Sequence, residues 1–254
     1  MEIKEIRVSD PITYERQPDG GETPIIDPYD GCQLCCPFCW QLSDENWNKN
    51  IFVNINIADL LKDRLSSWNS NDEIYLGSRC DPYMPIEEKY GLTRKCLTTL
   101  NELKINTMIT TKADNDLIFR DIDLLRNFSA EMTVLMGMSN IKQFHKGVRS
   151  KNILTANKLH NNGVSVWAFI TPVLPFIMDI EKIIAALHSD IPVFLDKVRV
   201  EPNTIQAKNM EQFIERRYPK HLQQYNEIIS GNSENYYNKL IEQYANDSRV
   251  KVLY

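Results

Sequence analysis

Residues 31–40 read Gly-Cys-Gln-Leu-Cys-Cys-Pro-Phe-Cys-Trp and carry four of the six cysteines of the chain. Cys32, Cys36 and Cys39 are spaced C-x-x-x-C-x-x-C; taking Cys35 as the middle residue gives C-x-x-C-x-x-x-C instead. The spacing by itself establishes a three-thiolate metal site. Three thiolates can hold three corners of a cubic [4Fe–4S] cluster and leave one iron without a protein ligand. Clusters in electron carriers usually have four cysteines, so an open iron suits a cluster that must bind something else. A zinc site normally takes four ligands, often as two short Cys/His pairs. No second pair is present, and His145, His160, His188 and His221 are scattered singly. A disulfide framework belongs to short secreted chains. This chain has 254 residues and opens on the charged Met1-Glu2-Ile3-Lys4-Glu5, with no secretory signal.

Such a loop needs a frame. The apolar fraction of 43% is ordinary for a globular protein, and no apolar run approaches the ~20 residues of a membrane span. A soluble cytoplasmic protein without a membrane is expected. The net charge of −5 supplies no global attraction to nucleic acid. Residues 2–8 alternate loosely as an edge strand, and 17–23 read as a loop before the turn Pro28-Tyr29-Asp30-Gly31. Beyond the cysteines, strands are expected at 73–77, 107–110, 132–138, 164–170 and 194–200. Helices are expected at 57–69, 89–103, 121–128, 152–162 and 179–187. Gly163 is a natural helix stop. This alternation argues for an α/β fold of parallel βα units, which right-handed crossovers curl into a barrel or partial barrel. Helices dominate from Asn203, and 249–253 offers a last edge strand.

In parallel βα folds the ligand sits at the C-terminal ends of the strands. The residues following each expected strand are Ser78 to Glu87, then Thr110-Thr111-Lys112, Ser139-Asn140, Thr171-Pro172 and Glu201-Pro202. Each alone could be a turn or a cap; polar groups at every strand end argue for a site at that rim. Cys96, inside an expected helix, reads as core. Arg216, Arg217 and Lys220 form one small basic group, and Lys142, His145, Lys146, Arg149 and Lys151 another; solvated charge is the commoner meaning of either.

The cysteine triplet with Phe38 before its last member resembles the radical S-adenosylmethionine (SAM) superfamily. The resemblance assigns Cys32, Cys36 and Cys39 as ligands of a [4Fe–4S] cluster and leaves Cys35 as a bystander. It implies that SAM chelates the open iron and is cleaved to methionine and a 5′-deoxyadenosyl radical. Asp27-Pro28-Tyr29-Asp30-Gly31-Cys32, Asp81-Pro82-Tyr83-x-Pro85-x-Glu87, Gly91-Leu92-Thr93-Arg94, Thr110-Thr111-Lys112 and Arg120-Asp121-Ile122-Asp123-Leu124-Leu125 look like the spore photoproduct lyase-like branch. That implies an open (β/α)6 barrel, the core at about 24–202 and a helical C-terminal extension at about 203–254, in a single domain over 1–254. Residue by residue, Lys112 fits a lysine that contacts SAM, Ser139 a polar SAM contact, Arg149 a carboxylate or ribose contact, and Phe38 a neighbour of the adenine. Asp81 and Glu87 order the rim or meet substrate, with Arg94 available to pair with Glu87.

Cys80 stands at the strand end where the lyases keep a hydrogen-atom donor, but immediately before Asp81 rather than three residues before it. It reads as a donor or as a cavity-lining thiol. Photoproduct lyases are longer than this chain, and with the acidic balance that favours a peptide or small metabolite over DNA as substrate. A reductant such as flavodoxin or ferredoxin is implied. Two other readings stand beside this one: an iron–sulfur electron-transfer or binding protein that does not cleave SAM, and a zinc-stabilised nucleic-acid-binding module.

Overall fold

The computed structural model describes residues 1–16, 20–43, 47, 49–69, 72–139, 150–232 and 234–254. Asn140, Lys142, His145, Lys146 and Arg149 lie outside the described residues. In chain order the strands are β1 (Glu2–Ile6), β2 (Thr13–Arg16), β3 (Glu22–Ile26), β4 (Tyr29–Asp30), β5 (Asn50–Asn54), β6 (Ile74–Leu76), β7 (Thr107–Thr111), β8 (Met132–Gly137), β9 (Val166–Val173), β10 (Val193–Lys197) and β11 (Val250–Val252). The helices are α1 (Ile57–Arg64), α2 (Glu87–Tyr90), α3 (Leu92–Glu102), α4 (Ile122–Arg126), α5 (Lys151–Asn161), α6 (Ile180–Ala186), α7 (Ile205–Arg217), α8 (Leu222–Ile229) and α9 (Glu234–Tyr244).

The main sheet runs β11-β10-β9-β8-β7-β6-β3-β2. Six neighbouring strands, β3 and β6 through β10, are parallel in chain order; β11 adds a parallel edge and β2 an antiparallel one. Among the described residues no pairing joins β2 to β11, so the sheet is open. A small second sheet, β1-β5-β4, stands beside the cysteine loop. The central strands alternate as their sequence requires. Along β7, Thr107, Ile109 and Thr111 are buried while Met108 and Thr110 are half-buried, because successive side chains leave opposite faces of the pleat.

Several expected elements change at their ends. The helix expected at 89–103 is two, because Gly91 at φ 61° caps α2 in the left-handed region and α3 starts anew from it. Along α3, Leu92, Cys96, Leu97 and Leu100 are buried at helical spacing, so Cys96 is core as expected. α5 begins where the Ser150 hydroxyl accepts the Ile153 N–H at 3.4 Å and ends as the Gly163 N–H bonds to His160 O at 2.9 Å. The loop expected at 17–23 is flanked by two strands that pair antiparallel, β2 and β3, and its last two residues, Glu22 and Thr23, already belong to β3. Pro24 hides this from sequence, but β6 pairs only with Ile25 and Ile26, so the missing N–H costs β3 no bond on that side.

A network of buried charge fastens α2, α3 and α4 beneath the sheet's rim. Glu87 is fully buried. It accepts from Tyr29 Oη at 2.5 Å, the Thr93 N–H at 2.9 Å and Arg120 Nη2 at 2.6 Å. Asp121, also fully buried, accepts from Arg94 Nη1 at 2.8 Å, Arg120 Nε at 2.8 Å and Tyr83 Oη at 3.2 Å. Arg94 spends its side chain on Asp121 and on Asp123 at 3.2 Å, so the charged side-chain partner of Glu87 is Arg120. A carboxylate so enclosed is costly to leave with one sign of charge. We expect Asp121→Ala to lower stability by about 3 kcal/mol, read as a fall in denaturant midpoint at unchanged slope. Asp123→Ala, which removes an exposed partner of the same Arg94, leaves that midpoint nearly in place.

Candidate metal and cofactor site

The cysteine loop covers the C-terminal ends of the parallel strands. Between loop and rim lies a cavity of about 360 Å3, walled by Cys32, Cys36 and Cys39 on one side and by Cys80, Asp81 and Lys112 on the other. Gly31 lets the loop turn there: its φ is 96°, and a Cβ would meet Asn50 O at 2.3 Å. Gln206, in the first turn of α7, holds the loop from outside by donating from Nε2 to Phe38 O at 2.7 Å and to Arg199 O at 3.1 Å.

The three thiols form a donor set without a proton acceptor of their own. Burial is the first cause that raises Cys32, Cys36 and Cys39 above the ordinary thiol value, Cys36 to about 12. Lys112 pulls Cys36 and Cys39 back only in part. A bound metal supplies the positive charge that deprotonates such thiols outright. Sulfurs around a single zinc ion stand about 3.8 Å apart, from tetrahedral bonds of ~2.3 Å. Among the described residues the cysteines do not converge within 4.8 Å as ligands of one ion would. The cavity of about 360 Å3 in front of them leaves room for a group larger than a lone ion.

Lys112 is fixed in three ways. Its N–H donates to Asp81 Oδ2 at 2.5 Å, and its carbonyl accepts from Asn152 Nδ2 at 3.1 Å. Its side-chain stem lies against Gly137, where a Cβ would approach Lys112 Cγ to 2.3 Å. Asp81 also accepts from Thr111 Oγ1 and the Tyr83 N–H, each at 2.9 Å. Burial, the leading cause, raises the Asp81 carboxyl, and these donors oppose it. Asp27 is raised by burial as well, against the Arg79 guanidinium, whose Nε lies 2.9 Å from Oδ2.

Phe38 lines the cavity and is buried. Cys80 lines it too, with its thiol donating to Tyr29 O at 2.9 Å; burial raises it well above the ordinary value. Ser139 is fully buried and donates to Pro172 O at 2.7 Å, joining the ends of β8 and β9 behind the cavity wall. Arg149 is outside the described residues. At the end of β10 the wall is made by Asp196, Lys197, Val198 and Arg199 rather than by Glu201-Pro202, because the strand stops at Lys197 after a register shift. Sequence reasoning passed over Gly137, Asn152 and Gln206. A glycine inside an apolar strand is the one readable signal, since it often marks a close approach.

Cys35 is exposed, takes φ 52° and turns its thiol toward Cys32 O at 3.8 Å. It also borders an outer groove with Phe213 and Arg216 of α7.

The fold has counterparts among solved structures. Spore photoproduct lyase, as a point mutant, superposes with a TM-score of 0.60 at 14% identity, covering 86% of this chain and 66% of its own. The chain folds like spore photoproduct lyase. Another lyase mutant, with bound AdoMet and dinucleoside spore photoproduct, gives 0.60 at 12% identity over the same shares of both chains. SuiB of Streptococcus suis, bound to S-adenosylmethionine, gives 0.51 at 15% identity, covering 91% of this chain and 50% of SuiB. The chain thus spans just under two thirds of the lyase and half of SuiB. At these identities the likeness is one of fold. In sequence, an uncharacterized protein of Methanocaldococcus jannaschii is 28% identical over 264 aligned positions, 99% of this chain and 95% of that protein. No protein-family model matches.

After anaerobic loading with iron and sulfide, Cys32→Ala, Cys36→Ala and Cys39→Ala are expected to lose most bound iron, and Cys35→Ala to keep it. Iron and sulfide analysis of the purified variants checks this. Loss in Cys35→Ala with retention in Cys36→Ala would reverse the ligand register.

Proposed function

We propose that this chain is a radical SAM enzyme, with the open parallel sheet serving as its partial barrel in a single domain. The observation that carries the reading is the trio of half-buried thiols, Cys32, Cys36 and Cys39, that line one cavity at the C-terminal rim together with Lys112. Cys32, Cys36 and Cys39 would hold a [4Fe–4S] cluster with one open iron, which would supply the electron for reductive cleavage of SAM to methionine and a 5′-deoxyadenosyl radical able to take a hydrogen atom from substrate.

The protein's part is to bind, orient and exclude water. Lys112, held by Asp81, Asn152 and Gly137, offers a cation suited to the SAM carboxylate. Phe38 offers an apolar wall for the adenine, and Arg149 a carboxylate or ribose contact. Ser139 acts by keeping the β8 and β9 rims together. Cys80 is a thiol at the wall whose hydrogen is directed at the Tyr29 carbonyl, which favours lining the cavity over returning a hydrogen atom. A radical that attacks strong C–H bonds needs a dry site, and the loop clamped by Gln206 supplies a cover.

A peptide or small metabolite suits this site better than DNA. A second cavity of about 900 Å3 shares Ser78 with the first, and Glu15, Glu22, Asp72 and Glu73 line it with no basic residue among its described walls. Such a surface repels a polyanion. An electron carrier such as flavodoxin or ferredoxin would supply the reductant, in a cytoplasmic setting. Among the described residues no helix is long and apolar enough to cross a membrane.

The test is anaerobic. Protein loaded with iron and sulfide, reduced and given SAM should release 5′-deoxyadenosine, and Cys36→Ala should release none. A cluster that forms and binds no SAM would favour the electron-transfer reading. Lys112→Ala and Gly137→Ala should each weaken SAM binding by about tenfold, measured by calorimetry on the loaded protein, while its iron content stays unchanged. Unaltered affinity in both would remove Lys112 from the SAM site.

A further inference from the structure

Two histidines distant in sequence meet at the other end of the sheet. His160 lies in the last turn of α5, which leads into β9, and His188 follows α6, which leads into β10. Both therefore stand at the N-terminal ends of strands whose opposite ends face the cysteines. Their ring centroids are 4.3 Å apart with 38° between the planes. Asp190 brings Oδ2 to 3.9 Å from Nδ1 of His188. One donor atom from each of the three residues lies within 4.8 Å of the other two.

The backbone that carries these groups is already fixed. Asn157, one turn before His160 on the same helix, accepts the His188 N–H at 2.8 Å and donates to Ala186 O at 2.9 Å. Arg249 donates from Nη2 to His188 O at 2.6 Å and from Nε to Ile191 O at 2.9 Å. Ser189 Oγ donates to Asp190 Oδ1 at 3.1 Å and orients the carboxylate. Among the described residues the Nδ1 lone pair of His188 accepts the Asp190 N–H, at a long 3.3 Å, which a cation can displace. Donors around tetrahedral zinc stand about 3.3–3.5 Å apart, so small rotations of half-exposed side chains complete the set. A site whose frame is held before binding loses little to ordering.

We propose that His160, His188 and Asp190 form a second metal site, for a divalent transition ion of the zinc class. Two imidazoles and a carboxylate are the donors such ions prefer, and water takes the remaining position. The ion ties α5 to the loop that feeds β10, far from the cysteine cavity. The charge of Arg249 opposes a cation there, but its nitrogens are spent on carbonyls and Asp190 offsets it.

The probe is cobalt(II), added under anaerobic conditions to a full-length parent that carries Cys32→Ser, Cys36→Ser and Cys39→Ser, so that the cysteine cavity does not compete for the ion, and followed by optical absorption. Binding at this site gives visible d–d bands without a thiolate charge-transfer band; binding at the remaining cysteines gives both. One equivalent of the first kind is expected, with affinity reduced by about tenfold or more in His160→Gln and in His188→Gln. Zinc should raise the Tm of the parent and not of these variants. Should either histidine variant fail to fold, Asp190→Asn serves, since that carboxylate is exposed, and it too should weaken binding. Cobalt bands that carry thiolate charge transfer throughout, or that are unchanged in the variants, would overturn the proposal. The test does not depend on cluster chemistry, so it can fail while the proposed enzyme reading stands.

Discussion

The site depends on one buried carboxylate. Asp81 ties the end of β6 to the end of β7 by accepting from the Thr111 hydroxyl and from the Lys112 and Tyr83 N–H groups. Burial alone would drive the group toward its neutral form, and hydrogen bonds to charge, at about 1.5–3 kcal/mol each, favour the ionised one. The same three bonds decide where Lys112 leaves the strand, and so where its side chain meets the cysteine cavity. Gly137 on β8 and Asn152 on α5 then confine that residue from two further sides. A cation held in this way faces the thiols without an ordering cost when an anion arrives.

The polar residues of the rim divide into two kinds. Asp81, Arg79, Lys112 and Lys197 face the cavity. Glu87, Arg94, Arg120 and Asp121 turn away from it and lock the helices below. The second group contains much of the Asp-Pro-Tyr-x-Pro-x-Glu and Arg-Asp-Ile-Asp patterns that make the chain resemble the lyase-like branch. In this chain those residues therefore serve the frame rather than the cavity wall. Their tyrosines fit the same account, since Tyr29 and Tyr83 are buried and bond to Glu87 and Asp121.

The C-terminal helices are more than an appendage to the sheet. Gln206 reaches the carbonyl of Phe38 inside the cysteine loop, and Tyr237 donates to Val173 O at the end of β9. Helix α7 thus covers the loop that a metal group would need to keep dry, while β11 closes one edge of the sheet. At the opposite end of the strands, Arg249 and Asn157 hold the two histidines together. One sheet consequently gathers sulfur donors at one end and imidazoles at the other.

Much of this was legible in the chain itself. The run Cys32 to Cys39 announced a cluster of thiols, and the structure sets them along one cavity wall, because thiols at short spacing are a local feature. The alternation of apolar periods fixed the parallel βα order, and Gly163 marked its helix end. Local signals survive because periodicity and turn chemistry act over a few residues. The β2–β3 hairpin was hidden because Pro24 reads as a breaker unless the pairing partner is known. Gly137 signalled a close approach without naming Lys112, 25 positions away, and Asn152 and Gln206 were silent because their work is done on residues 40 and 168 positions away. Histidines that looked solitary became a pair only when α5 and the loop before β10 packed together. Sequence determined which chemistry the chain carries and the order of its elements; tertiary structure alone decided which groups meet, because contacts between distant residues follow from packing and leave no local period to read.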